Sequence, residues 1–306
     1  MKNSIGPQIF FQLKEYANKF KYSRAAKKIL NTAPVQVGSM KFILLSMVQQ
    51  RDILSYLVAV KSFVRFANPE HIVVVCDPSM TEFDRGLLKK HIPHIELRSA
   101  EEFIHPSIPR GGCWERLYAI SEYVRENYVV QLDSDTISVR WLDEVVDAIK
   151  QKYGFVLGEM PDQKLMTLAQ TSTSAWAHQN QSNHIQALVE RSIQEVGLPL
   201  NNLYVRGCAG FTGFPENIEM RKLLIEFSTC MQSKFGNRWS EWGAEQIASN
   251  YLVANACNTR VLPFPKYATP NKINQLSVFI HYIGLHRFKS SRYAIDTENT
   301  IIEMLS

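Results

Sequence analysis

The chain has 306 residues, of which 45% are hydrophobic and 21% charged, the composition of a globular protein long enough to build its own core. Its five cysteines are widely spaced and none lies in a CxxC pair, which argues against a disulfide framework or a zinc cluster and predicts a cytoplasmic protein. No apolar run approaches the roughly 18 residues that span a bilayer, and the N-terminus lacks the apolar segment of a signal peptide.

The net charge of +5 is concentrated at the N-terminal end of the chain. Residues 1–40 contain seven lysines and arginines and a single acid, Glu15, so the remaining residues are together close to neutral. Binding along a nucleic acid needs many contacts between cationic side chains and phosphates. The near-neutral body of the chain therefore argues against a basic nucleic-acid-binding surface, and we expect no nucleic-acid partner.

The first predicted element is a basic helix over residues 10–30, in which apolar residues such as Tyr16 and Phe20 lie among lysines. Residues 31–39 are typical of a linker, so residues 1–39 form a predicted N-terminal extension. The helix has two interpretations. It packs on the main domain with a solvated basic face, or it lies at an interface and contacts anionic lipid or a polyanionic acceptor. The second interpretation predicts a peripheral contact with a membrane.

From residue 40 onward, apolar runs of strand length alternate with segments of helical periodicity, which favours parallel βαβ units with right-handed crossovers. Asp52 is the predicted N-cap of the first of these helices. The predicted strands of this part cover residues 42–48, 71–76, 95–97 and 128–132, and its predicted helices cover residues 52–66, 81–90 and 113–127.

The second half of the chain is less regular. A polar segment over residues 160–183, rich in Ser, Thr and Gln, is predicted to lack regular structure, and such long segments within a domain are usually functional or mobile. The remaining predicted elements are helices over residues 141–152, 214–234 and 239–255 and strands over residues 154–158 and 278–280. We expect one α/β domain over residues 40–290 and a C-terminal tail over residues 291–306.

Two carboxylates follow the predicted strand 128–132 at a spacing of two residues. Asp133 and Asp135 occupy positions i and i+2 of an extended segment, so their side chains point the same way. They lie at the carboxyl end of the strand, where open α/β sheets bind ligands. Two neighbouring carboxylates repel each other unless a cation joins them, and such a pair suits Mg²⁺ or Mn²⁺ carrying a phosphate. The alternative is a solvated surface loop, since Asp-x-Asp often arises by chance.

Two further groups could serve the same site. Arg116 lies on the helix before the aspartate strand, and its planar fork could pair with an aspartate or a phosphate. His281, Gly284 and Arg287 follow the last predicted strand at intervals of three residues. A neutral imidazole can bind the same metal, and a glycine lets the backbone approach phosphate closely. The alternatives are a surface arginine and a structural histidine.

These motifs resemble those of GT-A-fold glycosyltransferases. Their order is similar to that of the glycogenin and lipopolysaccharide galactosyltransferase family, glycosyltransferase family 8. Asp133-Ser134-Asp135 resembles the DXD motif, and His281-x-x-Gly284-x-x-Arg287 resembles the C-terminal HxxGxxK motif. The resemblance covers residues 41–290 at anchor points only. It implies a GT-A fold, a Rossmann-like α/β architecture whose mixed, mainly parallel sheet is flanked by helices.

The resemblance also implies roles for these residues. Asp133, Asp135 and His281 would bind Mn²⁺ or Mg²⁺ as the metal ligands. Arg287 would bind the donor diphosphate and Arg116 the donor sugar. The full set of implied donor-binding residues is Arg116, Asp133, Ser134, Gly284 and Arg287.

Two more segments carry the resemblance, and both depart from the family pattern. Glu245-Gln246-Ile-Ala-Ser-Asn250 is similar to the Asp-Gln-Asp-x-x-Asn segment of the family, whose first acid contacts the donor sugar near the reacting carbon. Here Glu245 replaces that acid, and the third acid is absent. Cys208-Ala209-Gly210 falls where the family has Asn-Ala-Gly, and Arg287 replaces a lysine. These departures indicate a divergent relative or a separate GT-A family.

The sequence therefore predicts a metal-dependent glycosyltransferase of polysaccharide biosynthesis. It would move a sugar from a nucleotide-diphosphate sugar, UDP-linked by the resemblance, to a hydroxyl of a glycan or another acceptor. The predicted catalytic residues are Asp135 and Glu245. The resemblance implies retention of configuration, which needs no strong base. An inverting enzyme would need a carboxylate as general base, with Glu245 the first candidate and Glu159 the second.

Two other classes of function stay open. A nucleotidyltransferase would carry a glycine-rich loop after the first strand, whereas residues 46–52 contain no glycine, and Gly111-Gly112 is better explained as a turn. A non-catalytic nucleotide-sugar-binding protein would fit if the departures marked a degenerate site, but its DXD motif would be expected to change first.

The acceptor side of the site is the least specified by the sequence. The segment over residues 160–183, which contains Trp176 and His178, is predicted to help form it. Trp239 and Trp242 could stack on a sugar ring, and burial in the core is the alternative for both.

Overall fold

The computed structural model describes residues 7–306, and within them the side chains of residues 11–284 and 286–306. Its α-helices are α1 (Pro7–Lys27), α2 (Ile53–Val64), α3 (Glu82–His91), α4 (Trp114–Tyr123), α5 (Asp143–Gln151), α6 (Leu168–Gln179), α7 (Ile185–Ser192), α8 (Met220–Phe235), α9 (Ala244–Ala254) and α10 (Arg292–Leu305). Its strands are β1 (Met40–Val48), β2 (Pro69–Cys76), β3 (Ile95–Ser99), β4 (Val129–Leu132), β5 (Thr136–Ser138), β6 (Phe155–Leu157), β7 (Met166–Thr167), β8 (Leu203–Tyr204), β9 (Cys208–Phe214), β10 (Arg260–Val261), β11 (Tyr267–Ala268) and β12 (Phe279–His281).

A seven-stranded sheet forms the centre of the molecule, with the strand order β10-β6-β9-β4-β1-β2-β3. β1 pairs in parallel with both β2 and β4, whereas β9 runs antiparallel between β4 and β6. The prediction of a mixed, mainly parallel sheet flanked by helices is therefore confirmed.

Helices cover both faces of this sheet, so its central strands are apolar on both sides. Leu44 and Leu45 are neighbours on β1 and point to opposite faces, and each is fully buried in a separate core. The first core also contains residues of α1, α2, α5 and α10, and the second contains residues of α4, α7, α8 and α9.

A small second sheet brings the two ends of the predicted site together. Its strand order is β11-β12-β5, and β5 begins directly after Asp135. β5 pairs antiparallel with β12, with Thr136 opposite His281. The backbone N–H of Asp133 also donates to the carbonyl of Gly210 on β9, at 2.9 Å. Through these pairings, residues far apart in the chain meet at the carboxyl end of β4.

Two predictions about the second half of the chain are wrong. The segment over residues 160–183 contains α6, which begins with a capping box between Thr167 and Gln170. Its small polar side chains conceal a helical period, since the buried face of α6 consists of Leu168, Thr171, Ser172 and Ala175. β9 was not predicted, and residues 214–219 precede α8 instead of belonging to it.

Asp52 was predicted to cap the N-terminus of α2, and only its position agrees with that prediction. Asp52 occupies the N-cap position of α2, but its side chain makes no capping hydrogen bond. It lies instead 3.5 Å from Arg51 and 3.8 Å from Arg287. Asp52 thus contributes a carboxylate to the site described below.

The predicted N-terminal helix is present as α1, and residues predicted as a C-terminal tail form α10. The two helices pack together, and the Tyr22 hydroxyl lies within hydrogen-bond distance of the Ser55 hydroxyl, at 2.8 Å, and of the Tyr293 hydroxyl, at 3.0 Å. The division of the chain at residues 39 and 290 stays a prediction. None of the helices in residues 7–306 combines the length and apolarity needed to cross a bilayer.

Candidate functional site

Three potential metal ligands converge at the carboxyl end of β4. His281 Nε2 lies 3.0 Å from an oxygen of Asp135 and 3.7 Å from an oxygen of Asp133. One ligand atom from each residue can be chosen so that all three lie within 4.8 Å of one another. Asp135 and His281 are buried, whereas the Asp133 side chain is 27% exposed, so the group opens to solvent on one side. Two carboxylates and an imidazole are donors that suit a divalent cation, so this group can hold one.

Each aspartate also has an arginine partner. Arg116, on α4, hydrogen bonds to Asp133, and Arg287 hydrogen bonds to Asp135. Burial by itself would raise the pKa of Asp135, but the charges and hydrogen bonds of His281 and Arg287 outweigh it and lower that pKa to about 2. Asp135 is therefore ionised at any pH at which the protein would be assayed.

The far side of the His281 ring contacts β9. Its Nδ1 atom lies 3.2 Å from the Cys208 sulfur, and the ring packs against Gly210. Burial would lower the pKa of His281, but Cys208 and Asp135 raise it well above the usual value. Contacts of this kind orient a metal-binding histidine. The sequence showed Cys208 only as a difference from the family motif. Its contact with His281 Nδ1 places it in the candidate site.

Gly210 is the residue that makes room for the His281 ring. A Cβ atom at this position would lie 2.6 Å from His281 Nδ1, and the buried ring has no space to retreat. We expect Gly210→Ala to displace the imidazole from the aspartates, to weaken Mn²⁺ binding at least ~10-fold and to destabilise the fold by about 1–3 kcal/mol. Isothermal titration with Mn²⁺ measures the first effect and urea unfolding the second.

The matched control is Gly86→Ala, because a Cβ atom on Gly86 in α3 would contact nothing within 4 Å. That variant should bind Mn²⁺ like the unmodified chain. Normal Mn²⁺ affinity in Gly210→Ala would contradict the assignment of His281 as a ligand.

Glu245, at the start of α9, is the second partner of Arg116. Its Oε1 accepts from Arg116 Nη2 at 3.1 Å, and both side chains are buried. Burial raises the pKa of Glu245 to about 7, although Arg116 acts to lower it. One guanidinium thus holds two carboxylates, and burial disfavours the charged form of Glu245.

This raised pKa predicts a pH dependence of stability. The pKa of Glu245 rises from 4.5 to about 7 on folding. Its contribution to the free energy of unfolding is therefore complete below pH 4.5 and is lost as the pH increases through 7. Relative to Glu245→Gln, the free energy of unfolding should therefore fall by about 1–3 kcal/mol between pH 5 and 8. Urea unfolding of both proteins without added metal measures the difference. If the free energy of unfolding varied with pH in the same way for both proteins, the prediction would be contradicted. Glu101→Gln is the control, because Glu101 is exposed.

The remaining predicted residues lie around this group. Ser134 is half-buried between the two aspartates. Gly284 has φ +36°, a value that favours glycine, and it opens the turn that leads to Arg287. Glu159 is the second residue after β6; burial raises its pKa, while Arg206 and His281 act to lower it. Gln246, next to Glu245, was not among the predicted site residues, and its Oε1 accepts from the Ala209 N–H at 3.4 Å.

The tryptophans differ from one another. Trp239 is fully buried and donates to the Ser228 hydroxyl at 3.0 Å, so of its two predicted alternatives the structure supports burial in the core. Trp242 is 82% exposed. Trp176 is also exposed, with the Arg191 guanidinium 5.3 Å from its ring centre.

Comparison with solved structures gives matches to glycosyltransferases. The bifunctional glycosyltransferase WbbM matches with a TM-score of 0.54 and 16% identity, over 90% of this chain and 53% of that one. The galactosyltransferase LgtC, in complex with donor and acceptor sugar analogues, matches with a TM-score of 0.50 and 13% identity, over 87% of this chain and 97% of that one. A structure of an active-site variant of LgtC matches with a TM-score of 0.50 and 12% identity, over 86% of this chain and 96% of that one.

The chain spans about half the length of WbbM and nearly the whole length of LgtC. No protein-family model matches the sequence, and no curated protein matches it. At these identities the structural matches establish the fold. The prediction of a GT-A glycosyltransferase fold is confirmed.

Proposed function

We propose that this protein is a metal-dependent glycosyltransferase that moves a sugar from a nucleotide-diphosphate sugar, UDP-linked, to a hydroxyl of a glycan or another acceptor. The observation that carries the proposal is the convergence of Asp133, Asp135 and His281 at the carboxyl edge of a GT-A sheet, with an arginine beside each aspartate. LgtC, a galactosyltransferase solved with donor and acceptor sugar analogues, has this fold.

The three ligands fit a hard divalent cation through their two carboxylates and one imidazole. When bound by Asp133, Asp135 and His281, Mn²⁺ or Mg²⁺ would supply Lewis-acid stabilisation of the leaving diphosphate. Mn²⁺ is the first choice because the imidazole is a softer donor than the oxygen ligands that Mg²⁺ prefers.

Arg287 supplies the second positive charge for the diphosphate. Its guanidinium pairs with Asp135, its Nε donates to the Tyr282 carbonyl at 3.2 Å, and its side chain is 25% exposed. A cation at Asp135 would compete with this ion pair and free the guanidinium to contact a diphosphate across the turn at Gly284. Fixed positive charge at that point stabilises the charge that develops on the leaving group.

Arg116 and Glu245 support the retaining outcome. A general base of an inverting enzyme must reach the acceptor hydroxyl. Glu245 is buried and its Oε1 is bonded to Arg116, so its geometry is that of a partner that holds Arg116 against Asp133. We therefore propose retention of configuration, with the inverting reaction through Glu245 as the alternative.

The test is thermal unfolding with nucleoside diphosphates, each with and without Mn²⁺. We expect one nucleotide, UDP, to raise Tm by about 5 °C at concentrations well above Kd, and only when Mn²⁺ is present. Stabilisation by UDP without metal, or by none of the nucleotides, would contradict the proposal.

Slow hydrolysis of the matching nucleotide-sugar separates an enzyme from a non-catalytic binding protein. Release of inorganic pyrophosphate from a nucleoside triphosphate and a sugar phosphate would favour a nucleotidyltransferase instead. NMR of the transferred sugar then gives the anomeric configuration of the product.

A further inference from the structure

The N-terminal helix α1 has two apolar faces, and only one of them is covered. The covered face packs against α10 and α2. Its buried residues are Asn18, Tyr22, Ala25 and Ala26. On the opposite side, Leu13, Tyr16 and Phe20 follow one another at helical spacing, and they are 56%, 73% and 58% exposed. Three large apolar side chains on one outward stripe need a partner.

Cations surround this outer stripe. Exposed basic side chains on α1 are Lys14, Lys19, Lys21, Arg24 and Lys27. Glu15 is the sole acid among the α1 residues. Lys and Arg can extend their charged ends towards a surface while their aliphatic stems cover apolar neighbours. An apolar stripe bordered by cations is complementary to a surface that is anionic outside and apolar beneath.

We propose that the outer face of α1, defined by Leu13, Tyr16 and Phe20 with their flanking cations, docks on an anionic lipid surface. The apolar side chains would enter the boundary between headgroups and acyl chains, and the cations would contact lipid phosphates. A polar partner would cover the cations but leave the apolar stripe in water. An uncharged apolar partner would cover the stripe but leave the cations without counter-charges.

The inner face of the same helix contacts the segment that carries Arg287. Asn18 donates to the Phe288 carbonyl at 2.9 Å, and the Tyr22 ring stacks on Tyr293 with a centroid distance of 4.0 Å. Tyr293 in turn stacks on Tyr282 at 4.1 Å. The helix that would lie on the lipid is thus packed directly against the candidate donor site. The docking proposal does not depend on the proposed reaction, since it rests on the outer face alone.

The test is co-sedimentation of the full chain with vesicles. One preparation contains phosphatidylcholine alone, and the other contains phosphatidylcholine mixed with phosphatidylglycerol. We expect binding to the anionic vesicles only, weakening as salt is added, and a loss of at least ~10-fold in partitioning for the triple variant Leu13→Ser/Tyr16→Ser/Phe20→Ser. A second variant, Lys19→Glu/Arg24→Glu, should lose binding to a similar extent because each cation near the surface contributes to it.

Phe83→Ser is the matched control, because Phe83 is 78% exposed on α3, where the first turn is acidic. Phe83→Ser should bind vesicles like the unmodified chain. All variants should keep the circular dichroism spectrum and the Tm of the unmodified chain, because the altered side chains are exposed. Equal binding to neutral and anionic vesicles, no binding to either, or unchanged binding by the triple variant would overturn the proposal. So would a dimer detected by light scattering that the triple variant abolishes in the absence of vesicle binding, because the partner would then be a second copy of this chain.

Discussion

Asp135→Asn is expected to abolish metal-dependent sugar transfer, with a loss of at least ~10³-fold in kcat/KM. Asp135 is buried, and its two oxygens contact His281 and Arg287. The amide removes the negative charge that would bind the cation, and it takes the nearest carboxylate away from both His281 and the partly exposed Arg287. One substitution has both effects, because each of the two Asp135 oxygens already contacts one of these cationic side chains.

The measurement is turnover over a series of Mn²⁺ concentrations, with the rise in Tm caused by Mn²⁺ as a second readout. The Asn variant should also be less stable by about 3–5 kcal/mol without metal, because a buried ion pair has lost one partner. Its fold is therefore checked by circular dichroism below its own Tm. Asp77→Asn, directly after β2 in the same sheet, is the control and should keep full activity. Near-normal turnover in the Asp135 variant would exclude a metal at this position.

Arg116→Met should strongly destabilise the fold. Arg116 is buried and holds both Asp133 and Glu245, so its removal leaves two carboxylates close together without a cation. Loss of one partner from a buried pair costs about 3–5 kcal/mol in the free energy of unfolding. Lysine should not substitute, because a single ammonium lacks the planar fork that reaches both acids.

Urea unfolding at pH 8, where Glu245 is mainly ionised, measures this effect. The double variant Arg116→Met/Glu245→Gln should recover part of the loss, since it also removes one of the two carboxylates that Arg116→Met leaves without a partner. Arg238→Met is the control, because Arg238 pairs with Glu241 on the surface and little change is expected. A loss in Arg116→Met no larger than in that control would mean that Arg116 does not neutralise the pair.

Local pattern in the sequence determined the first half of the fold. Apolar runs ending at Cys76 and Leu132 predicted β2 and β4, and the periodicity of the segments before and between these runs predicted α2, α3 and α4. The two aspartates could be assigned to one edge of the sheet because side chains at i and i+2 of an extended segment share a direction. These inferences needed only neighbouring residues.

The tertiary structure decided what depends on distant pairing. β9 contains two glycines and runs antiparallel, and it was not predicted because its strand character comes from pairing with β4 and β6. The need for glycine at position 210 is explained only by the packing of the His281 ring, which lies 71 residues further along the chain. The bond from Arg116 to Glu245 joins residues 129 positions apart. No local periodicity in the sequence encodes such contacts, because they form only when strands that are distant in the chain pair.

The N-terminal helix shows the same division. The sequence determined that α1 is basic and helical, because charge and periodicity are local properties. It did not determine which side of the helix is covered, since apolar residues occur on both. Packing against α10 decided that Tyr22 is buried and that Tyr16 and Phe20 are exposed, because only one face of the helix can meet the domain.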